Sequence, residues 1–449
     1  MNDGNQARRR VLILGAGGRD FHNFNTVYRD DPACEVVAFT AAQIPDIDKR
    51  RYPPELSGPL YPDGVPVYPQ DGWEQLAREQ GIDEVNLAYS DLSHLEVMHI
   101  ASRALAAGAD FRLIGPGRTM IASSKPVVSV CAVRTGCGKS ALTRYIARIF
   151  RQRGLHVAVV RHPMPYGDLR RQAVQRFADM DDLTAAACTI EEREEYEPHI
   201  AAGDLVFAGV DYERVLHAAE QEADVILWDG GNNDFSFYRP DLEIVVADPH
   251  RPGHESAYYP GETNILRAGI VVLAKVDTAD PESIVDVEAS VRALNPTAAI
   301  VRMAMPLTLD DPDAVRGKRV LVIEDGPTLT HGGMAYGAGT LAAQRYGAAA
   351  LVDPRAYAVG SIRDVFERFT QLGPVLPAMG YSEAQVRDLE ATIRAVPADL
   401  VVVASPVDLR RLIQIDKPTV RVGYDIEEVG GNQLERLLTE FAARLTGTG

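Results

Sequence analysis

The stretch Val128-Ser-Val-Cys-Ala-Val-Arg-Thr-Gly-Cys-Gly-Lys-Ser140 joins a short apolar run to a glycine loop and a Lys-Ser pair. That order suits the phosphates of a nucleoside triphosphate. Backbone N–H groups of Gly136, Cys137 and Gly138, flanked by Thr135 and Ala141, wrap the phosphates, Lys139 reaches the β and γ oxygens, and the Ser140 hydroxyl meets Mg2+. The loop departs from the usual pattern, which begins with Gly at the position held here by Val133, and it adds a second basic residue, Arg134.

Partners for such chemistry recur downstream. Val225-Ile-Leu-Trp-Asp-Gly-Gly231 is an apolar strand ending in an acid, from which Asp229 can hold Mg2+ directly or through water, with Asn232, Asn233 and Asp234 next on the loop. Ala274-Lys-Val-Asp277 resembles a base-reading element with its Asn replaced, so Lys275 is expected along the purine face and Asp277 on the base edge. Arg161 and His162 leave a strand towards the same end of the sheet, and Arg251 and His254 follow another strand end. These four suit a substrate phosphate. Glu324-Asp-Gly-Pro-Thr-Leu-Thr-His-Gly-Gly-Met334 opens from a strand into a loop whose Thr328, Thr330, His331, Gly332 and Gly333 suit a polyanion, with Glu324 or Asp325 expected to orient a metal or a basic residue. Near the start, Gly15-Ala-Gly-Gly-Arg-Asp20 imitates a dinucleotide fingerprint, but Asp20 stands where the third Gly belongs and the next strand ends in Phe39-Thr40 without an acid. A dinucleotide is therefore not expected, and Arg19 and His22 at the following helix are candidates for the phosphate of a smaller ligand.

Positioning these residues requires strands whose carboxyl ends face one way. Apolar Val/Ile/Leu runs alternate with stretches of helical period, the pattern of parallel sheets covered by helices, so the class is α/β. A Rossmann-like unit is expected over residues 1–124, a P-loop nucleotide-binding unit with a mostly parallel sheet over 125–305, and a C-terminal α/β part over 306–449 continuous with the P-loop sheet. The acidic run Glu191-Glu-Arg-Glu-Glu-Tyr-Glu197 reads as a solvated helix face. With 449 residues and a net charge of −17, the chain suits a large soluble enzyme and is not expected to bind nucleic acid or membrane. Four cysteines without paired spacing, and no apolar run near membrane length, point to the cytoplasm.

The basic residue at Arg134 resembles the deviant P-loops of dethiobiotin synthetase-like and ParA-like ATPases. Together with Leu14–Asn23, Asp229–Asp234, Tyr259-Pro-Gly-Glu262 and Glu324–Met334, the chain resembles the cyclic 2,3-diphosphoglycerate synthetase family over nearly its whole length. The resemblance implies ATP-dependent closure of 2,3-diphosphoglycerate to a cyclic pyrophosphate with release of ADP and phosphate. Lys139, Arg134, Arg161, His162, Asp229, Arg251 and His331 are then the candidates to act on the phosphates. A signature-type Arg134 also raises a homodimer, in which it serves either its own nucleotide or a partner's. A nucleotide switch, a metal-delivery GTPase, or a regulator without chemistry remain open alternatives.

Overall fold

The computed structural model describes residues 7–41, 50–162, 167–330, 332–379 and 383–446. Its apolar runs form three sheets covered by helices, which makes the chain α/β with mostly parallel strands. In the first sheet the order is Arg51–Tyr52, Val65–Pro69, Cys34–Ala41, Arg9–Leu14, Glu84–Leu87, Asp110–Arg112. Strand Arg9–Leu14 is buried from Val11 onward because it lies between two parallel neighbours with helices on both faces. Strand order reverses around it, so the crevice opens at the Gly15–Asp20 loop.

The second sheet has nine strands, in the order Gln175–Phe177, Leu205–Ala208, Val157–Arg161, Val225–Asp229, Val127–Ala132, Leu242–Ala247, Ile270–Leu273, Ala299–Ala304, Glu427–Glu428. Its interior is a continuous apolar run per strand, as a parallel sheet covered on both faces requires. Register places Asp229 opposite Arg161 on the adjacent strand. An antiparallel ribbon, Leu92–Ser93 with Tyr258–Tyr259, ties the first sheet to the second.

The expectation that residues beyond 306 extend the P-loop sheet is corrected here. Strands Leu307–Leu309, Thr419–Tyr424, Leu400–Ala404, Arg319–Glu324 and Ala350–Leu351 make a sheet of their own, with Leu376–Pro377 also on Arg319–Glu324. They close a separate core around Val320–Ile323 and Val401–Val403. Among the described residues, Ile426, strand Glu427–Glu428 and helix Gln433–Thr446 return to the second sheet, where Phe441 packs on Phe150 of the P-loop helix. The acidic run also differs from expectation. It lies in helix Ile190–Ala201, but Glu192, Glu194 and Glu197 are buried rather than solvated, because the helix sits between the P-loop sheet and the third sheet.

Candidate active site

The P-loop leaves strand Val127–Ala132 and enters helix Lys139–Gln152, whose inner face carries Leu142, Ile146 and Phe150. Gly136 and Gly138 have φ of 79° and 101°, and a Cβ on them would meet Thr328 at 3.1 Å and Met305 at 2.8 Å. Both positions thus need glycine for conformation and for close packing.

Lys139 donates to the Gly230 carbonyl and stands 3.3 Å from Asp229 Oδ1. One Arg161 nitrogen, Nη1, lies 3.2 Å from Ser140 Oγ and 2.5 Å from Asp229 Oδ2, and the guanidinium also pairs with Glu195. His199 is fully buried with its ring nitrogens 3.1 Å from Asp229 and 3.2 Å from Asp204. Burial by itself pushes the Asp229 carboxyl up, but Arg161 and Lys139 hold it well below the usual carboxylate range. The Lys139 ammonium is lowered by burial against the pull of Asp229.

A cavity of about 650 Å³ opens over this cluster and is walled by all three sheets. Of the residues expected from sequence, Arg134, Thr135, Gly136, Gly138, Lys139, Ser140, Ala141, Arg161, His162, Lys275, Arg19, Glu324, Thr328 and Thr330 line it. Cys137 is buried behind the loop with burial pushing its thiol up, and Asp229 lies beneath the floor. Lys275 bonds Gly136 O at 2.6 Å and Asp248 at 2.8 Å, and Asp277 accepts the Met305 N–H at 2.8 Å, so both brace the protein's own loops. His331 lies outside the described residues.

Several expected substrate contacts are used inside the protein. Asp20 Oδ1 accepts from the N–H groups of Gly17, Gly18 and Phe21 at 2.7, 2.9 and 2.7 Å, which fills the first glycine loop with the chain's own carboxylate. Burial raises that carboxyl to about 6 in spite of these bonds. Arg19 is paired with Asp234 and lies 4.3 Å above the Phe235 ring. His22 is stacked on Phe237 with Nε2 2.8 Å from Thr119 O, and burial lowers it to about 3. Arg251 braces the P-loop from behind through Thr135 O, Gly332 O and Asp248. Burial pushes Asp248 up, and Lys275 and Arg251 bring it down to about 2. Gly332 offers its carbonyl to Arg134 and Arg251 rather than an N–H to a ligand, and Gly333 (φ 67°) turns the same loop. Thr328 is tied to Asp325, and Thr330 Oγ1 donates to Gly326 O at 2.9 Å. Glu324 accepts the N–H groups of Gly337, Gly339 and Thr340 at 3.0, 2.9 and 2.8 Å, capping helix Ala338–Arg345 instead of facing a metal.

Four residues escaped the sequence reading. Asp91 from the first unit reaches Arg134, Glu194 and Glu195 form an acidic wall of the cavity, and His199 backs Asp229. Asp91 follows a strand end, the one signal that marked it; the inward face of the Glu-rich helix has no sequence period to betray it.

Ser140 and Asp229 are the residues that would hold a magnesium ion. Their oxygens converge on one Arg161 nitrogen, and the buried Asp229 Oδ1 accepts no hydrogen bond and faces the Lys139 ammonium at 3.3 Å. Among the described residues no group of three or more His, Cys, Asp or Glu stands ready to hold a metal by itself. No helix there is long and apolar enough to cross a membrane.

No protein-family model matches the chain. Among solved structures, LpxK from Aquifex aeolicus in complex with ATP aligns over 78% of this chain and 96% of its own, at 14% identity and a TM-score of 0.41. A ParA family ATPase from Chlorobium tepidum aligns over 42% and 86%, at 17% identity and a TM-score of 0.26. The cyclic 2,3-diphosphoglycerate synthetase of Rubrobacter xylanophilus is 25% identical over 262 residues, 53% of this chain and 58% of that protein. The resemblance expected from sequence is thus to a related family, over about half the chain. Arginine synthetase ArcE of Thermococcus kodakarensis is 58% identical over 435 residues, 97% of both chains. With that identity over that length, the chain is an enzyme of the synthetase kind and belongs to the family of arginine synthetase ArcE.

Proposed function

We propose that this protein makes arginine from a ureido amino acid, ammonia and ATP. The observation that carries the reading is that the P-loop and the carboxylates Glu194 and Glu195 wall one cavity, in a chain 58% identical to an arginine synthetase. A phosphate-binding floor facing an acidic wall suits a reaction in which a phosphoryl donor meets an ammonium group and a guanidinium product.

Arginine differs from citrulline only in carrying nitrogen where the ureido group has oxygen, and oxygen leaves poorly as hydroxide. Transfer of the γ-phosphoryl to the ureido oxygen breaks the γ-phosphate bond of ATP and yields ADP and an O-phosphorylated isourea. Ammonia then forms the new C–N bond and expels inorganic phosphate. The sum is citrulline, ammonia and ATP giving arginine, ADP and phosphate. Lys139 binds the β and γ oxygens and neutralises charge that grows on them. Ser140 and Asp229 would hold magnesium, which would supply further positive charge to the phosphate oxygens. Arg161 keeps Asp229 ionised and oriented, and Glu194 receives the cationic end of the amino acid.

A second reading, closure of 2,3-diphosphoglycerate to its cyclic pyrophosphate, is supported by the 25% identical relative and by the basic residues around the P-loop. The test is to give purified protein Mg-ATP or Mg-GTP with citrulline and ammonium, or with 2,3-diphosphoglycerate. Arginine and ADP are followed in the first case and the ³¹P resonance of a cyclic pyrophosphate in the second. Ammonium-dependent arginine formation with ATP is the expected result. A cyclic product alone moves the assignment to the second reading, and turnover indifferent to both substrates removes both.

A further inference from the structure

We infer that Arg134 serves its own chain's nucleotide, bearing on the transferred phosphoryl group in cis, and that Asp91 of the first unit is the residue that positions it. This rests on the reading above only in that the P-loop transfers a γ-phosphoryl group; it does not depend on the acceptor.

Arg134 is 5% exposed and is the point where all three units meet. Its Nε lies 2.5 Å from Asp91 Oδ1 in the first unit, its Nη1 2.7 Å from His254 Nδ1 beyond the second sheet, and its Nη2 3.3 Å from the Gly332 carbonyl of the third. The Tyr258 ring covers one face at 3.7 Å. Since Arg134 can only donate, His254 Nδ1 must accept, so the imidazole is neutral with its proton on Nε2. Burial and then Arg134 lower that histidine to about 4, in keeping with the neutral form. Each terminal nitrogen carries two N–H groups and spends one on these partners, which leaves one on each for phosphate oxygens. Arg134 and Asp91 both line the cavity with Lys139.

Asp91 is built for this contact. It adopts a left-handed backbone (φ 63°), uncommon for a residue with a side chain, and is held there by its own N–H on Tyr259 O at 3.0 Å and by the ribbon that follows. Its second oxygen accepts the Thr135 N–H at 3.2 Å, so one carboxylate fixes both the arginine and the backbone of the P-loop. Reaching a nucleotide on another protomer would require Arg134 to abandon Asp91, His254 and Gly332 together. The first unit therefore acts in phosphoryl transfer by orienting an arginine, although its own glycine loop is filled by Asp20.

Two measurements test this. The first is the affinity of the full-length protein for Mg-ADP with and without fluoroaluminate, a mimic of the phosphoryl group in flight, which needs no acceptor and so decides the inference whether or not arginine is made. The wild-type protein is expected to bind ADP more tightly with fluoroaluminate. Arg134→Ala and Asp91→Asn are expected to keep their ADP affinity and lose that gain, and Asp91→Glu to recover part of it. In a turnover assay Asp91→Asn lowers kcat on the order of 10²-fold with KM for ATP unchanged, the mark of a misplaced group rather than a damaged fold. A wild-type protein without the gain, or an Asp91→Asn protein that keeps it, overturns the inference. The second measurement mixes Lys139→Ala with Arg134→Ala; a mixture as inactive as its parts is expected, and recovery of activity on mixing shows that the arginine acts in trans and overturns the cis assignment.

Discussion

Two glycine-rich loops in this molecule leave buried parallel strands and enter helices, and they have opposite fates. The P-loop helix begins at Gly138 without a side-chain cap, its positive end open to the cavity and Lys139 at its first turn. The loop at Gly15–Arg19 meets a helix too, but the Asp20 carboxylate already occupies two of its N–H groups, those of Gly17 and Gly18, and that of Phe21 in the helix. The second loop is an anion site that carries its own anion. Glycines mark where backbone amides are exposed, whereas the next charged residue decides whether a ligand or the chain satisfies them.

The largest effect expected is at the open loop. Lys139→Ala should lower phosphoryl transfer by about 10²-fold or more, with the urea unfolding midpoint unchanged. If activity survives, the open loop is no more catalytic than the filled one. Asp20→Gly restores the third glycine of the fingerprint and tests the comparison from the other side. It should cost about 1–3 kcal/mol in urea unfolding, since buried N–H groups lose their acceptor, and sulfate or phosphate should then raise the melting temperature of the variant but not of the wild type. Glu194→Gln should weaken the apparent affinity for the amino acid by roughly tenfold, as loss of a charged hydrogen bond does, and leave KM for ATP alone; an effect on ATP instead would place the acidic wall at the nucleotide end.

The smallest effect is in pH. His22 and His254 are lowered to about 3 and about 4, so the stability that their neutral forms contribute is present above the ordinary histidine range near 6.5 and falls as pH drops below it. Asp20, raised to about 6, works in the opposite sense: its contribution is full below about 4 and is lost as pH rises through about 6. From pH 7 to 5 the wild type should lose stability, and Asp20→Gly should lose more because it lacks the opposing carboxyl. Urea midpoints at the two pH values decide this, and equal slopes would mean that the filling carboxylate is not raised.

The open loop was legible because its pattern is written in adjacent residues: Gly136, Gly138, Lys139 and Ser140 stand side by side in the sequence and line one cavity together. Asp229 was legible because a strand end is a fixed place in a parallel sheet, and its register with Arg161 follows from that sheet. Asp20 was visible only as a departure from a fingerprint, since nothing local states that its carboxylate folds back onto the amides. Asp91, Glu194 and Arg251 depend on contacts between units far apart in sequence, and a charge reads the same whether solvent or an arginine 43 residues away receives it. The third sheet went unrecognised because short apolar strands look alike whichever sheet they join.

Helix Gln433–Thr446 covers the P-loop helix, with Arg153 and Thr439 in contact though 286 positions apart. The third unit is therefore an insertion, spliced between strand Ala299–Ala304 and the segment that completes the nucleotide-binding core. During synthesis, the apolar side of the P-loop helix must wait for an entire additional sheet to be translated before its cover arrives. A ribosome paused within that insertion would hold a P-loop helix already seated on its sheet but still without the helix that covers its outer side.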